Sequence, residues 1–214
     1  MLKAVLFDLD GTLLDTIGDI EERTNTMLLH FGYPPISRTQ AKAYVGDGAR
    51  RLVERALPQG AENIDECYAY FKANFASGNA LTELFPYERE CLLALLKKGI
   101  KLAVITNKPQ DATDRLVEKF FKDIPFGFVG GDSGMFPCKP DPSLAQYCAL
   151  KLRVAPSECA FVGDGETDVR TALNAGMFGV SALWGYRSKQ QLADAGATVF
   201  ARDFSELEKI LLGA

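Results

Sequence analysis

The chain has 214 residues, of which 47% are hydrophobic and 24% charged, with a formal net charge of −4 at pH 7. This balance is typical of a folded globular protein and excludes a disordered or fibrous class. Lysine and arginine are scattered rather than gathered into a basic stripe, so no nucleic-acid partner is predicted. No apolar run approaches the roughly 20 residues of a membrane span, so no membrane partner is predicted either.

Cysteine and histidine content narrows the chemistry further. The five cysteines are odd in number and form no CxxC pair, which predicts free thiols in a reducing compartment. Asp8 and Asp10 interrupt the apolar N-terminus where a signal peptide would continue, so a cytoplasmic location is predicted. The single histidine, His30, lies at a predicted helix end, which disfavours Ser-His-Asp and Cys-His hydrolases.

Short apolar runs closed by turn residues recur along the chain and predict buried strands of a parallel sheet. They cover residues 3–7, 101–105, 126–129, 159–162 and 178–182. Helical patterns alternate with them at residues 88–98, 111–121, 142–152 and 167–175. The alternation predicts an α/β fold with a doubly wound, Rossmann-like parallel sheet.

Residues 15–81 break this alternation. They contain helical patterns at residues 17–30, 40–44, 49–57 and 65–76, and no convincing buried strand. We predict an inserted all-helical cap domain at residues 15–81 and an α/β core domain of residues 1–14 and 82–214. The insertion leaves the core beside the carboxyl end of the first strand, where open α/β sheets bind ligands, so the cap is expected to cover the active site.

Polar clusters follow the predicted strands. They are Asp8-Asp10-Gly11-Thr12, Thr106-Asn107, Lys139-Pro140, and Gly163-Asp164-Gly165 with Asp168. Because loops after parallel strands converge at one sheet edge, we expect these clusters to share one crevice. Like charges about 4 Å apart repel by about 4 kcal/mol at an effective dielectric near 20, so Asp8, Asp10 and Asp164 would need a cation. Carboxylates without neighbouring His or Cys suit Mg²⁺.

The order of these clusters carries a family resemblance. Residues 7–13 resemble motif I of the haloacid dehalogenase superfamily, Thr106-Asn107-Lys108 motif II, Lys139-Pro140 motif III and residues 162–168 motif IV. All four occur in the expected order, and the resemblance covers essentially the whole chain. It implies a Mg²⁺-dependent phosphatase that forms an aspartyl-phosphate, and the second motif I carboxylate, Asp10, argues for phosphate chemistry over dehalogenation.

The resemblance also implies a role for each motif residue. Asp8 would be the nucleophile and a metal ligand, and Asp10 the general acid/base, with its backbone carbonyl on the metal. Asp164 would complete the Mg²⁺ site with Asp168 behind it, and Lys139 would neutralise Asp8 and the phosphate. The transferring phosphoryl group would be bound by four further residues, Gly11, Thr12, Thr106 and Asn107.

Among helical-cap members, the chain is similar to bacterial phosphoglycolate phosphatases. Residues 44–57, 106–109 and 184–186 carry this similarity. It implies a small phosphorylated metabolite such as 2-phosphoglycolate, whose carboxylate would pair with Arg50 or Arg51. A pyrophosphatase, a sugar-phosphate phosphatase or a phosphoglucomutase of the same superfamily stays an alternative. So does a catalytically inactive binding module, although the intact acidic motifs speak against it. The sequence does not specify the oligomeric state.

Overall fold

The computed structural model describes residues 1–73 and 80–213. Its strands are β1 (Ala4–Phe7), β2 (Leu14–Asp15), β3 (Glu83–Leu84), β4 (Lys101–Pro109), β5 (Phe126–Asp132), β6 (Cys159–Gly163), β7 (Phe178–Ala182) and β8 (Phe200–Ala201). Six of them form a parallel sheet in the order β5-β4-β1-β6-β7-β8. β1 is central, with Ala4 paired to Lys101 on one side and to Cys159 on the other.

Helices cover both faces of this sheet. The core helices are α5 (Glu88–Lys97), α6 (Gln110–Phe121), α7 (Ser143–Leu152), α8 (Glu166–Ala175), α9 (Lys189–Asp194) and α10 (Phe204–Leu212). Val5 and Phe7 of β1 pack into one apolar core with residues of α5, α6 and α10. Ala4 and Leu6 pack into the other core with residues of α7 and α8. The alternation of side chains along a strand explains this division, and the predicted doubly wound α/β fold is confirmed.

Between β2 and β3, the described residues form four more helices. They are α1 (Ile17–His30), α2 (Arg38–Tyr44), α3 (Ala49–Ala56) and α4 (Ile64–Ala73). Met27, Leu52 and Phe71 belong to an apolar core that these helices share. The predicted helix at 17–30 has the observed bounds, whereas residues 74–76 of the predicted fourth helix lie outside the described residues. The proposed domain boundaries stay a prediction. None of the described helices combines the length and apolarity needed to cross a bilayer.

A two-residue antiparallel ribbon joins the places where the chain leaves and re-enters the sheet domain. Leu14 pairs with Leu84 and Asp15 with Glu83. Asp19, buried at the start of α1, accepts hydrogen bonds from the Leu81 backbone N–H at 3.3 Å and from the Thr82 hydroxyl. Strands of two residues are too short to show a period in the sequence, so this ribbon was not predicted.

β4 and β5 are longer than predicted. The apolar run of β4 ends at Ile105, but the strand continues through Pro109, which pairs with Asp132 of β5. The segment from Gly130 to Asp132, interpreted as a turn, therefore belongs to a strand. A Cβ at Gly131 would lie 2.7 Å from the Lys108 carbonyl oxygen, so glycine permits this close pairing. The polar residues after Ile105 are consequently held on a strand rather than a loop.

Glu88 is a buried acid outside the polar edge of the sheet. It begins α5 and is 1% exposed, and neither carboxylate oxygen has a hydrogen-bond partner among the described residues. Burial is the main cause that raises the pKa of Glu88 to about 8; the charge of Arg89 lowers it and that of Glu90 raises it. Because the folded state holds this proton more tightly than the unfolded chain, stability falls as pH rises from 4.5 to about 8.

We therefore expect Glu88→Gln, which is neutral at every pH, to stabilise the protein at pH 9 by about 1–2 kcal/mol and to change little at pH 5. Denaturant unfolding at the two pH values measures the difference. Glu90→Gln, on the exposed side of the same helix, serves as the control. An equal gain at both pH values would show that the charge of Glu88 is not responsible.

Candidate active site

The polar clusters converge at the carboxyl edge of the sheet. Asp8 follows β1, Thr106 lies within β4 and Asp164 follows β6. Because β4, β1 and β6 are neighbours, these residues share one edge. Lys139 reaches the same place from the segment between β5 and α7, and its ammonium lies 2.8 Å from Asp8 Oδ1. The structure therefore brings the four predicted clusters to one crevice.

Three buried carboxylates form the centre of the crevice. One oxygen from each of Asp8, Asp164 and Asp168 lies within 4.8 Å of the other two, and all three residues are buried. Burial, then repulsion by Asp168, raises the pKa of Asp8 to about 6, although Lys139 opposes the shift. Burial, then repulsion by Asp168 and Asp8, raises the pKa of Asp164 to about 7. An oxygen-only donor set under such repulsion fits a hard divalent cation.

Lys139 neutralises part of this charge. Its side chain is 2% exposed, and Nζ lies 2.8 Å from Asp8 Oδ1 and 2.6 Å from Asp168 Oδ1. It also donates to the Ile105 carbonyl at 3.1 Å. Burial opposes the charged form of Lys139, but Asp168 and Asp8 raise its pKa above the ordinary value. Asn107 fixes the backbone, because its Oδ1 accepts from Lys139 N at 2.7 Å and its Nδ2 donates to Lys139 O at 3.1 Å.

Asp164 is oriented by both of its oxygens. Oδ1 accepts from the Thr12 hydroxyl at 2.8 Å, and Oδ2 accepts from the Tyr186 backbone N–H at 2.8 Å. Gly11, with φ of 85°, and Gly185 allow two loops to approach this carboxylate. A Cβ at Gly185 would lie 2.2 Å from the Asp164 Cβ, and one at Gly11 would lie 2.5 Å from Oδ2. Gly11 and Thr12 thus position Asp164 in this structure, and their predicted phosphoryl contacts stay a prediction.

The Asp10 carboxylate lies outside the three-carboxylate group. Lys108 Nζ donates to its two oxygens at 2.9 and 3.0 Å, and the Thr16 hydroxyl donates to Oδ1 at 2.7 Å. The Lys108 side chain is 3% exposed. The sequence analysis quoted Lys108 within motif II but gave it no role. The feature of the sequence that could have indicated a role for Lys108 is its position two residues after Thr106, on the strand that carries motif II.

A cleft of about 460 Å³ lies between the cap helices and this edge of the sheet. Its core side is formed by Asp8, Asp10, Thr106, Asn107, Lys108 and Pro109, and its cap side by Ile20, Val45, Gly46, Gly48, Ala49 and Leu52. The cleft therefore joins the predicted nucleophile and general acid/base to an apolar wall supplied by the cap.

Arg50 and Arg51 do not line the cleft. Arg50 is 50% exposed and pairs with Glu54 at 3.1 Å and Asp65 at 2.8 Å, and Arg51 is 68% exposed and pairs with Glu54 at 2.8 Å. The helical repeat explains this, because Ala49 and Leu52 of α3 face the cleft and so turn the two arginines between them outward. The geometry gives their predicted role in substrate binding no support.

The end of α2 and the segment after it, residues 42–48 (here called the cap loop), are attached to the core through their main chain. Arg187 donates to the carbonyls of Lys42 and Val45, the latter at 2.7 Å, and to Glu166 at 2.8 Å. Asn107 Nδ2 donates to the Gly46 carbonyl at 3.0 Å. No sequence pattern distinguished Arg187, because its partners are distant along the chain.

A family model described as haloacid dehalogenase-like hydrolase matches residues 5–182. The chain belongs to this family. It is 32% identical over 231 aligned residues to a phosphoglycolate phosphatase of Vibrio parahaemolyticus, covering 98% of this chain and 96% of that protein. Phosphoglycolate phosphatase 1 of Pseudomonas aeruginosa is 31% identical over 212 residues, covering 96% of this chain and 78% of that protein. The predicted enzyme class, a phosphatase of this superfamily, is confirmed.

The fold of this haloacid dehalogenase-like hydrolase has a solved counterpart of similar size. A crystal structure from Lactobacillus delbrueckii subsp. bulgaricus superposes with a TM-score of 0.91 at 30% identity, and covers 99% of both chains. The inserted helices and the sheet therefore occur together in a relative along essentially the whole length of the chain.

The close approach at Gly185 generates a prediction. Gly185→Ala should displace the Asp164 carboxylate, so we expect it to weaken the binding of a divalent cation and to lower activity, each by about 10- to 100-fold. Calorimetric titration with Mg²⁺ and phosphate-release kinetics measure the two effects.

Gly179→Ala on β7 is the matched control, because its Cβ would meet only the Ala172 Cβ, at 3.2 Å. Full Mg²⁺ affinity in Gly185→Ala would show that the loop can move without disturbing Asp164.

Proposed function

We propose that the chain is a Mg²⁺-dependent hydrolase of small phosphomonoesters that forms an aspartyl-phosphate on Asp8, with 2-phosphoglycolate or a similar ester as substrate. One observation carries the proposal. Asp8 lines a cleft beneath the cap, and its buried carboxylate lies beside those of Asp164 and Asp168 and beside the ammonium of Lys139. This arrangement supplies a nucleophile, a cation site and a charge-neutralising lysine in one place.

In the first step, a carboxylate oxygen of Asp8 attacks phosphorus, and the bond between phosphorus and the ester oxygen breaks. Asp10 donates a proton to the departing oxygen, so that the alcohol leaves neutral. In the second step, Asp10 accepts a proton from a water molecule as that water attacks phosphorus, which releases inorganic phosphate and restores Asp8. Lys139 neutralises Asp8 before the attack and the phosphoryl oxygens during it.

Mg²⁺ would be held by the carboxylates of Asp8 and Asp164 and by the Asp10 backbone carbonyl, with Asp168 adjacent. When bound, it supplies positive charge that offsets the repulsion between the carboxylates and the phosphoryl group. Thr106 and Asn107 of β4 line the same cleft as Asp8 and would bind the phosphoryl oxygens.

The substrate assignment is supported by two observations. The names of the relatives from Vibrio and Pseudomonas give phosphoglycolate as their substrate, and the cleft is confined by Val45, Leu52 and Ile20 of the cap. An apolar wall in the same cleft as Asp8 suits a short leaving group. The cytoplasmic location predicted from the sequence stays a prediction.

Asp8→Asn should lower phosphate release by at least about 1000-fold, because a neutral amide oxygen is a poor nucleophile. It should fold normally, since it removes one charge from a repelling cluster. Phosphate release from 2-phosphoglycolate measures the loss, and hydroxylamine should trap an acyl phosphate only with Asp8 present. Asp111→Asn, an exposed change at the start of α6, is the control. Phosphate release that survives in Asp8→Asn, or in excess EDTA, contradicts the mechanism.

A screen of small phosphate esters with Mg²⁺ tests the substrate class. We expect 2-phosphoglycolate to exceed hexose phosphates and pyrophosphate in kcat/KM by at least tenfold, which corresponds to about 1.4 kcal/mol. A preference for a hexose phosphate, or for pyrophosphate, would refute this assignment while leaving the phosphatase mechanism intact.

A further inference from the structure

We infer that Lys108 binds the carboxylate of the substrate's leaving group. When the substrate binds, the Lys108 ammonium moves from Asp10 to that carboxylate. The inference deepens the proposed function and rests on it. In this view, Lys108 at the sheet edge, and not Arg50 or Arg51 of the cap, selects small phosphate esters that carry a carboxylate.

The charge distribution in the cleft supports this assignment. Among the described residues that line the cleft, Lys108 alone carries a positive charge. The arginines of α3, which follow the cleft-lining residues Gly48 and Ala49, pair with other groups of the cap. Arg50 pairs with Asp65, Arg51 with Glu54, and Arg55 with Asp47 and the Tyr44 carbonyl. A substrate carboxylate that enters the cleft therefore meets the ammonium group of Lys108.

The two buried lysines, Lys139 and Lys108, pair with different carboxylates of the site. Lys139 is bound to Asp8 and Asp168, on the side where the phosphoryl group would be transferred. Lys108 is bound to Asp10, the residue proposed to protonate the leaving oxygen. In 2-phosphoglycolate the carboxylate belongs to the leaving group, so the lysine beside Asp10 is on the correct side to bind it.

The surroundings allow the ammonium to change partner. The Lys108 backbone is fixed in β4, where its carbonyl lies against Gly131 and accepts from the Thr113 hydroxyl at 3.4 Å. The side chain has a flexible four-carbon stem. Asp10 keeps a second donor, the Thr16 hydroxyl at 2.7 Å, when the ammonium turns toward a ligand. The apolar side chains of Ile20, Val45 and Leu52 opposite lower the local dielectric and strengthen the new ion pair.

The test compares two substrates of nearly equal size that differ in charge. 2-Phosphoglycolate carries the carboxylate, and 2-hydroxyethyl phosphate has a hydroxymethyl group in its place. Lys108→Met removes the contact with Asp10 for both esters, so we expect it to lower kcat/KM for both; the loss for 2-phosphoglycolate should exceed the loss for 2-hydroxyethyl phosphate by about 30-fold, mainly through KM. Lys108→Arg should retain most of the preference for 2-phosphoglycolate, because it keeps the charge. Lys122→Met, an exposed change after α6, is the control.

A binding measurement separates recognition from turnover. In the Asp8→Asn background, calorimetry should show that Lys108→Met lowers the affinity for 2-phosphoglycolate about 30-fold. The affinity for 2-hydroxyethyl phosphate should stay nearly unchanged. Equal losses for both esters would show that Lys108 acts only through Asp10 and would overturn the inference, as would no loss for either. A wild-type enzyme that releases phosphate from neither ester would overturn the proposed function itself.

Discussion

Repulsion among three buried carboxylates is the constraint on which the site depends. Asp8, Asp164 and Asp168 place oxygens within 4.8 Å of one another, and the folded state must supply opposing charge and donors. Lys139 contacts two of them, while Thr12 and the Tyr186 backbone satisfy the third. Three carboxylates repel a phosphate group unless a cation is present. Their mutual repulsion lowers the stability of the folded state, and the same repulsion favours the binding of a divalent cation.

The sheet makes this cluster possible because it converts separation along the chain into proximity. β1, β4 and β6 are adjacent and parallel, so residues 8, 106 and 164 lie at one edge of the sheet. The backbone of β1 is fixed by pairing on both sides. A carboxylate directly after such a strand, such as that of Asp8, has little freedom to move.

The sequence was sufficient to predict the fold class and the meeting of the polar clusters at one sheet edge, because hydrophobic runs and polar clusters are local signals. It was insufficient where partners are distant. Lys108 and Arg187 have their roles through Asp10 and the cap loop, to which no local pattern connects them. The end of β4 was predicted too early since polar residues were read as a turn, although pairing with β5 continues. Arg50 and Arg51 carried the right chemistry but lie on the outward side of α3.

Because the cap loop is held by its main chain, its side chains can differ among members of the family. Arg187 and Asn107 hold the loop by the carbonyl oxygens of Lys42, Val45 and Gly46, and every amino acid has a carbonyl oxygen. Side chains at the first two of these positions can therefore be replaced without releasing the loop from the core. A point mutation at Val45, whose side chain lines the cleft, can therefore change the wall of the cleft while the main-chain contact to Arg187 is kept.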